Sequence, residues 1–228
     1  MTTTLLELRG LDLPQAGAGR RVGWTLESGG TGLVCGPPGT GKTACLDLVS
    51  GQRRAAPGQV FLAGQDIGRL GAPARARAGI ARSLAGDAVL GGLSVLDHVC
   101  LALRRRLGRG PGLFARRSGD WELLDSAERL LQQVRLLALA EQPARSLGRA
   151  ERRRMDLAML MAQEPRLYVL DAPLAGLDGA GAAAMRDLLA GLSAAGATLL
   201  LALRDPRDLD LQGQTILQLA PPGETGDD

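Results

Sequence analysis

Aromatic residues make up 2% of this 228-residue chain, histidine occurs once and lysine once. The shortage of aromatics removes stacking platforms. Basic and acidic residues are interspersed along the chain. The net charge of +3 and the pI near 9.1 therefore do not point to nucleic acid. A single histidine excludes a multi-histidine metal site, and His98, between Asp97 and Val99, reads as a helix-surface residue. The three cysteines, Cys35, Cys45 and Cys100, lie in apolar runs without metal-ligand spacing. They read as buried thiols of a reducing compartment rather than a disulfide framework. The start, Met1-Thr2-Thr3-Thr4-Leu5, lacks the basic-then-apolar pattern of a secretory signal. The longest nearly apolar run, Leu192 to Leu203, is too short to cross a bilayer. A soluble chain able to dock on a membrane protein is expected, with the length of one domain carrying at most a small subdomain.

What is present starts with Gly36-Pro37-Pro38-Gly39-Thr40-Gly41-Lys42-Thr43, which fits the phosphate-binding loop pattern G-x-x-x-x-G-K-[ST]. Glycines let successive backbone N–H groups point into one cavity, where an anion replaces water. The helix that follows adds free donors and a positive dipole end. Lys42 is placed to reach the outer phosphates and the Thr43 hydroxyl to ligand Mg²⁺. The context is that of a strand (Gly32 to Cys35) leading into a helix (Ala44 to Val49). Lys42 is also the one lysine in a chain whose other basic side chains are all arginine.

Around this loop the pattern alternates strands and helices. Leu5 to Arg9 reads as an edge strand, Pro14 to Gly19 as a turn, Val22 to Leu26 as a second strand, and Gln59 to Ala63 as a hairpin-like strand. Ser94 and Asp97 form a helix start, and that helix runs to about Arg106. Leu107 to Gly119 reads as a loop. Trp121 to Ala140 is expected to be an amphipathic helix, with Leu123, Leu124, Ala127, Leu130, Leu131, Val134 and Leu137 on its core face. A helix follows over Glu151 to Gln163. Leu167 to Leu170 is an apolar strand ending in Asp171. Ala180 to Leu192 is a helix, Ala197 to Leu203 and Thr215 to Leu219 are strands, and 221–228 is a frayed tail. Continuous apolar strands alternating with helices imply an α/β fold: a mainly parallel sheet with helices on both faces. Helices between 94 and 163 interrupt that alternation as an inserted helical subdomain would. Asp171 at a strand tip has the form of a Walker B carboxylate, able to hold Mg²⁺ through water beside the loop strand.

Several stretches together resemble the ATP-binding subunits of ABC transporters, with the nearest likeness to the branched-chain amino-acid importer subgroup. They are Gly36 to Thr43, Gly58 to Ile67, Arg75 to Arg82, Gly92 to Val99, Ala144 to Leu147, and Glu164 to Asp178. The loop alone looks as much like an AAA+ ATPase; the stretch 75–82 and the turn Ala175-Gly176-Leu177-Asp178 decide for ABC. The resemblance implies a P-loop NTPase fold with an antiparallel N-terminal β subdomain. It implies one nucleotide-binding domain over 1–228, with its helical subdomain roughly at 86–163. It also implies ATP and Mg²⁺ as cofactors, with Thr43 and Asp171 at the metal. Two such domains would dimerise head to tail. Each ATP would lie between one chain's phosphate loop and the other's signature motif, and a permease would dock on the helical subdomain at the cytoplasmic face of the membrane.

Away from phosphate and Mg²⁺ binding the chain departs from that pattern. The family's glutamate after the Walker B aspartate, which polarises the attacking water, is Ala172 here; that role is worth roughly 10²–10⁴-fold. The Q-loop glutamine is Ala85, and the switch histidine that contacts the γ-phosphate is Arg204. In the signature, Gly148 replaces serine and Ala150 replaces glycine, within Gly148-Arg149-Ala150-Glu151. The Glu151 helix start can still aim backbone N–H groups. Asp178 of the D-loop survives. No aromatic stands near Leu13 to Gly17 to stack adenine. The expectation is a subunit that grips MgATP and cleaves it slowly or not at all. The alternatives to it are a working importer ATPase completed by a partner, and a pseudoenzyme that binds no nucleotide. Arg204 is either a permanent cation for the γ-phosphate or a solvated residue before a turn.

Overall fold

The computed structural model describes residues 3–13, 21–83, 90, 92–108, 120–211 and 213–220. The turn expected at 14–19, the position of Ala85, most of the 107–119 loop and the tail 221–228 lie outside these residues. The chain divides into two units. The first takes in 1–82, 166–175 and 186–228; the second takes in 83–165 and 176–185.

The first unit holds two sheets. Strands β1 (Thr4–Asp12), β2 (Arg21–Glu27), β4 (Val60–Leu62) and β5 (Gln65–Asp66) form an antiparallel sheet in the order β2-β1-β4-β5. Strands β3 (Thr31–Cys35), β6 (Ile80–Arg82), β7 (Leu167–Asp171), β8 (Leu199–Leu203) and β9 (Gln214–Gln218) form a parallel sheet in the order β6-β7-β8-β3-β9. The interior strands β3 and β8 are buried along their whole length, as continuous apolar runs require. At the rim, β9 leaves Ile216 exposed. The strand read as an edge, β1, sits inside its sheet between β2 and β4. Its weak alternation reports one solvated face, whereas edge position depends on two partners distant in sequence.

Helix α1 (Lys42–Ser50) joins the two sheets into one core. Cys45, Leu46 and Val49 of α1 belong to the same buried cluster as Leu6, Leu8 and Leu11 of β1 and Val34, Val169 and Leu200 of the parallel sheet. On the other side of β3, the Thr31 hydroxyl meets the Ser193 hydroxyl of α6 (Gly179–Ala194) at 3.2 Å. Beneath α1, after the short helix α2 (Ala72–Arg77) begins, lies a fully buried cation. The Arg75 guanidinium donates to the carbonyls of Leu48, Val49 (2.7 Å), Leu70 (2.9 Å) and Gly68 (3.0 Å). Two of these are last-turn carbonyls of α1, which have no intrahelical partner and carry the negative end of the dipole. Burial brings the Arg75 pKa down to about 10, so it remains a cation at neutral pH.

In the second unit, α3 (Val95–Arg106) starts with the expected cap. Asp97 N donates to Ser94 Oγ at 3.1 Å and Ser94 N to Asp97 Oδ2 at 2.9 Å. His98 is buried, against the surface position expected of it. Its Nε2 accepts from Leu90 N at 3.1 Å, and Nδ1 donates to Ser94 O at 2.8 Å, so both ring nitrogens serve packing. It shares a helix face with buried Val95 and Ala102, one turn away on either side. Helix α4 (Trp121–Gln133) ends earlier than the expected Ala140. Arg135 takes φ 57, Leu136 N donates to Leu131 O at 2.7 Å, and a 3₁₀ turn covers Leu137–Leu139. Leu123, Ala127, Leu131 and Val134 are buried as read, but Leu137 is exposed. Helix α5 (Arg149–Met161) completes this unit's long elements. No helix among the described residues is long and apolar enough to cross a membrane.

Candidate functional site

The phosphate-loop sequence bridges the C-terminal end of β3 and the N-terminus of α1. Gly36 must be glycine: its φ is +152, and an added Cβ would lie 2.3 Å from the Leu219 carbonyl oxygen. Gly41 precedes α1 in the left-handed region, and no side chain caps the helix. Among the described residues, none of the N–H groups from Gly39 to Thr43 finds an acceptor. This row of free donors at a helix start fits an anion. The loop is otherwise self-supporting, with Thr40 Oγ1 donating to Pro37 O at 2.9 Å. Lys42 Nζ folds over the loop and donates to the carbonyls of Gly36 (2.5 Å) and Pro37 (2.7 Å). Burial lowers its pKa, Asp171 and Cys35 oppose that, and Arg204 adds to it. Thr43 lies exposed on the first turn of α1. Just behind the loop, burial first and then the Asp205 charge push the Cys35 thiol up to about 11.

Asp171 ends β7, but β7 is not beside the loop strand as expected: β8 lies between them. The register pairs Cys35 with Leu203 and Asp171 with Ala202. Residue 204 therefore follows the strand between the phosphate loop and Asp171, at the same sheet edge. Parallel sheets of this kind present ligand sites at their carboxyl ends. Ala172 follows Asp171 with φ 46, its N–H donating to Ala202 O at 3.1 Å. A methyl side chain occupies this corner, so it contributes neither proton acceptor nor water ligand.

The sequence reading missed the group that holds Asp171. Arg82, at the end of β6, pairs through Nη2 with Asp171 Oδ2 at 3.4 Å. Its Nη1 pairs with Asp47 of α1 and donates to Ser50 Oγ at 2.9 Å. Arg82 closes the basic stretch 75–82, whose resemblance to the family was the one available signal. The metal expected at Thr43 and Asp171 has a hydroxyl and a carboxylate as protein donors, and the rest of its shell would come from phosphate and water. No group of three or more His, Cys, Asp or Glu among the described residues forms a protein-only metal cage. The donors present fit Mg²⁺ carried by a nucleotide.

Aromatic side chains of the first unit are committed elsewhere. Trp24 lies over Gly32, where an added Cβ would come within 2.2 Å of its ring, and Phe61 carries the Arg9 guanidinium at 4.1 Å. Tyr168 is buried.

In the second unit the structure brings the D-loop and signature positions together. Gly148, Arg149, Ala150, Glu151 and Asp178 line one cavity of about 590 Å³. Asp178 Oδ1 accepts from Gly181 N at 2.7 Å, capping the start of α6. Arg149 lies against Gly176, whose φ is +71. Glu151 Oε2 accepts from Gly148 N at 2.7 Å. Glu151 thereby takes the N-cap donor of α5 with a carboxylate from the same helix, while the first-turn N–H groups of Arg149 and Ala150 have no acceptor among the described residues.

The ABC transporter family profile matches residues 20–175. The probable branched-chain amino acid transport ATP-binding protein LivG of Archaeoglobus fulgidus is 32% identical over 163 residues, covering 69% of this chain and 62% of that protein. The lipopolysaccharide export system ATP-binding protein LptB of Acidithiobacillus ferridurans is 31% identical over 175 residues, covering 77% and 68%. Among solved structures, a dimeric post-hydrolysis state of an ATP-binding cassette bound to ADP and Pi matches with TM-score 0.73 and 18% identity, covering 92% of this chain and 96% of that one. That likeness shows the fold alone. The family profile, which matches more than half of the chain, establishes that this chain belongs to the ABC transporter family, and its relatives include ATP-binding proteins named for branched-chain amino acid transport and for lipopolysaccharide export.

Proposed function

We propose that this chain binds MgATP through Gly36 to Thr43 and hydrolyses it slowly or not at all, serving as a structural or regulatory ATP-binding subunit of an amino-acid-importer-like transporter. One observation carries the reading. The free donors of Gly39 to Thr43 and the Lys42 ammonium sit at the same sheet edge as Asp171, and the residue after Asp171 is Ala172. Bound Mg²⁺ would neutralise phosphate charge; Thr43 and Asp171 would hold it. Lys42 would leave the Gly36 and Pro37 carbonyls for phosphate oxygens. No side chain at position 172 is able to draw a proton from water, so the chain holds the nucleotide without activating a nucleophile.

The remaining features support a role beside a competent partner. The related cassette bound to ADP and Pi is dimeric. Here Gly148, Arg149, Ala150 and Glu151 alter the surface that would meet a second chain's nucleotide, so both composite sites of a dimer would be weakened. The second unit would carry the permease contact, at the cytoplasmic face of the membrane. The substrate class rests on relatives named for branched-chain amino acid transport, and an export-system relative of similar identity stands beside them.

The test is thermal unfolding with and without MgATP. A ligand at a hundred times its dissociation constant stabilises by about 2.7 kcal/mol, roughly 5 to 10 °C for a domain of this size. Wild type is expected to show this shift and Lys42→Ala to lose it. Absence of any shift in wild type would favour a fold kept for protein contacts alone.

A further inference from the structure

We propose that Arg82 is a positioning residue for the divalent cation that a nucleotide carries into the site. By bridging Asp47 to Asp171 it sets the spacing between the Thr43 hydroxyl and the Asp171 carboxylate, and so fits the site to a small ion. The proposal rests on the nucleotide-binding reading above and specifies what selects the metal.

The bridge joins three elements far apart in sequence. Thr43, Asp47 and Ser50 stand at i, i+4 and i+7 of α1, on one face of the helix. Asp171 lies two residues after Val169 on β7, so the two share a face of the sheet. That face is the one turned to α1. Leu167 and Val169, but not Tyr168 and Leu170, belong to the buried cluster that contains Cys45, Leu46 and Val49, and α1 packs on β7. The register sets Arg82, the last residue of β6, opposite Val169. From there its guanidinium reaches both sides. Nη1 pairs with Asp47 and donates to Ser50 Oγ at 2.9 Å, while Nη2 donates to Asp171 Oδ2 at 3.4 Å. The anchor on α1 is itself fixed, since Ser50 Oγ donates to Leu46 O at 2.7 Å.

A guanidinium is a rigid planar fork, so it holds two acceptors at a set separation; an ammonium on a flexible stem does not. The Arg82 side chain is only 9% exposed, which keeps the fork packed in place and shields its ion pairs from water and salt. One prong ends one helical turn beyond Thr43 and the other ends on the Asp171 carboxylate. The two protein groups able to hold a metal are thus tied to each other through Asp47 and Arg82. Mg²⁺ takes oxygen ligands at about 2.0–2.1 Å in a near-ideal octahedron, whereas Ca²⁺ takes them at about 2.3–2.6 Å in a looser shell. A spacing held by a fork discriminates between these ions, and a loosened one accommodates either. Groups that hold a metal-binding carboxylate in place are worth about 10–100-fold in metal affinity.

The test measures ATP affinity of the full chain, read from thermal stabilisation over a nucleotide titration, with Mg²⁺, with Ca²⁺ and in EDTA. Wild type is expected to bind ATP about tenfold or more tightly with Mg²⁺ than with Ca²⁺. Arg82→Lys, which keeps the charge and loses the fork, should cut that ratio to about threefold or less and leave ATP affinity in EDTA within about twofold of wild type. Asp47→Asn, which releases the fork from α1, should lower the ratio in the same direction. Arg82→Ala should abolish the ratio and, by leaving two carboxylates uncompensated, also weaken ATP in EDTA. A wild type that binds ATP equally well with both ions overturns the proposal. So do Arg82→Lys and Asp47→Asn variants that lose unfolding free energy but keep the wild-type ratio, because Arg82 would then be a structural bridge alone. If wild type binds no ATP under any of the three conditions, the nucleotide-binding reading itself fails and takes this one with it.

Discussion

The phosphate-loop end of the first unit and the signature cavity of the second are both built at helix N-termini, and they are finished in opposite ways. At α1 the N–H row is left open, and the cations Lys42 and Arg204 stand near it. At α5 the N-cap N–H is closed by Glu151, and Arg149 is laid against Gly176. A helix N-terminus attracts negative charge wherever it occurs. What separates the two regions is whether a ligand or the chain itself provides that charge. The first end is organised to receive an anion, and the second already contains one.

The comparison also extends to support. Helix α1 is held at its C-terminal end, away from the phosphate loop, by the buried Arg75 guanidinium, whereas the cavity is bordered by the left-handed turn at Gly176. The largest effect is expected from Arg75→Ala, which strips partners from the carbonyls of Leu48, Val49, Gly68 and Leu70. Unsatisfied buried groups cost about 1–3 kcal/mol each, so a loss of about 3 kcal/mol or more in unfolding free energy is expected from urea titration. If the variant is nearly as stable as wild type, Arg75 is not what holds the C-terminal end of α1. A smaller effect is expected from Gly176→Ala. The left-handed backbone there costs a non-glycine residue about 1–2 kcal/mol, and the new methyl would displace the Arg149 guanidinium, which yields readily. The same titration measures it, and MgATP should stabilise this variant as much as it does wild type, since the change lies in the other unit.

Much of the first region was legible in the sequence because its information is local. Gly36 to Thr43 specify a backbone shape within eight residues, and the strand ending in Asp171 announces itself by apolar run and terminal acid. The partners of Asp171 were not legible. Which strand lies beside which in a parallel sheet is set by crossovers, so β8 between β3 and β7 could not be read from either strand. The Arg82–Asp47–Asp171 grouping draws on three elements far apart in sequence. His98 failed for a related reason: its acceptor role depends on Leu90 N, before the helix begins. The overlong reading of α4 has another cause. Apolar periodicity continues through Val134 and Leu137, while the chain turns at Arg135 without the glycine or proline that would mark it. In the cavity, the replaced positions were visible as residues, but that Glu151 would consume the Gly148 donor became evident only from geometry.

The central claim, that this chain grips ATP without cleaving it, is tested most directly by phosphate release from saturating MgATP, on a preparation whose nucleotide-dependent stabilisation has been measured. The expected result is stabilisation that Lys42→Ala removes, with wild-type phosphate release no higher than that of Lys42→Ala. Sustained release by the wild type that Lys42→Ala abolishes would contradict the claim and make the chain a working ATPase despite Ala172.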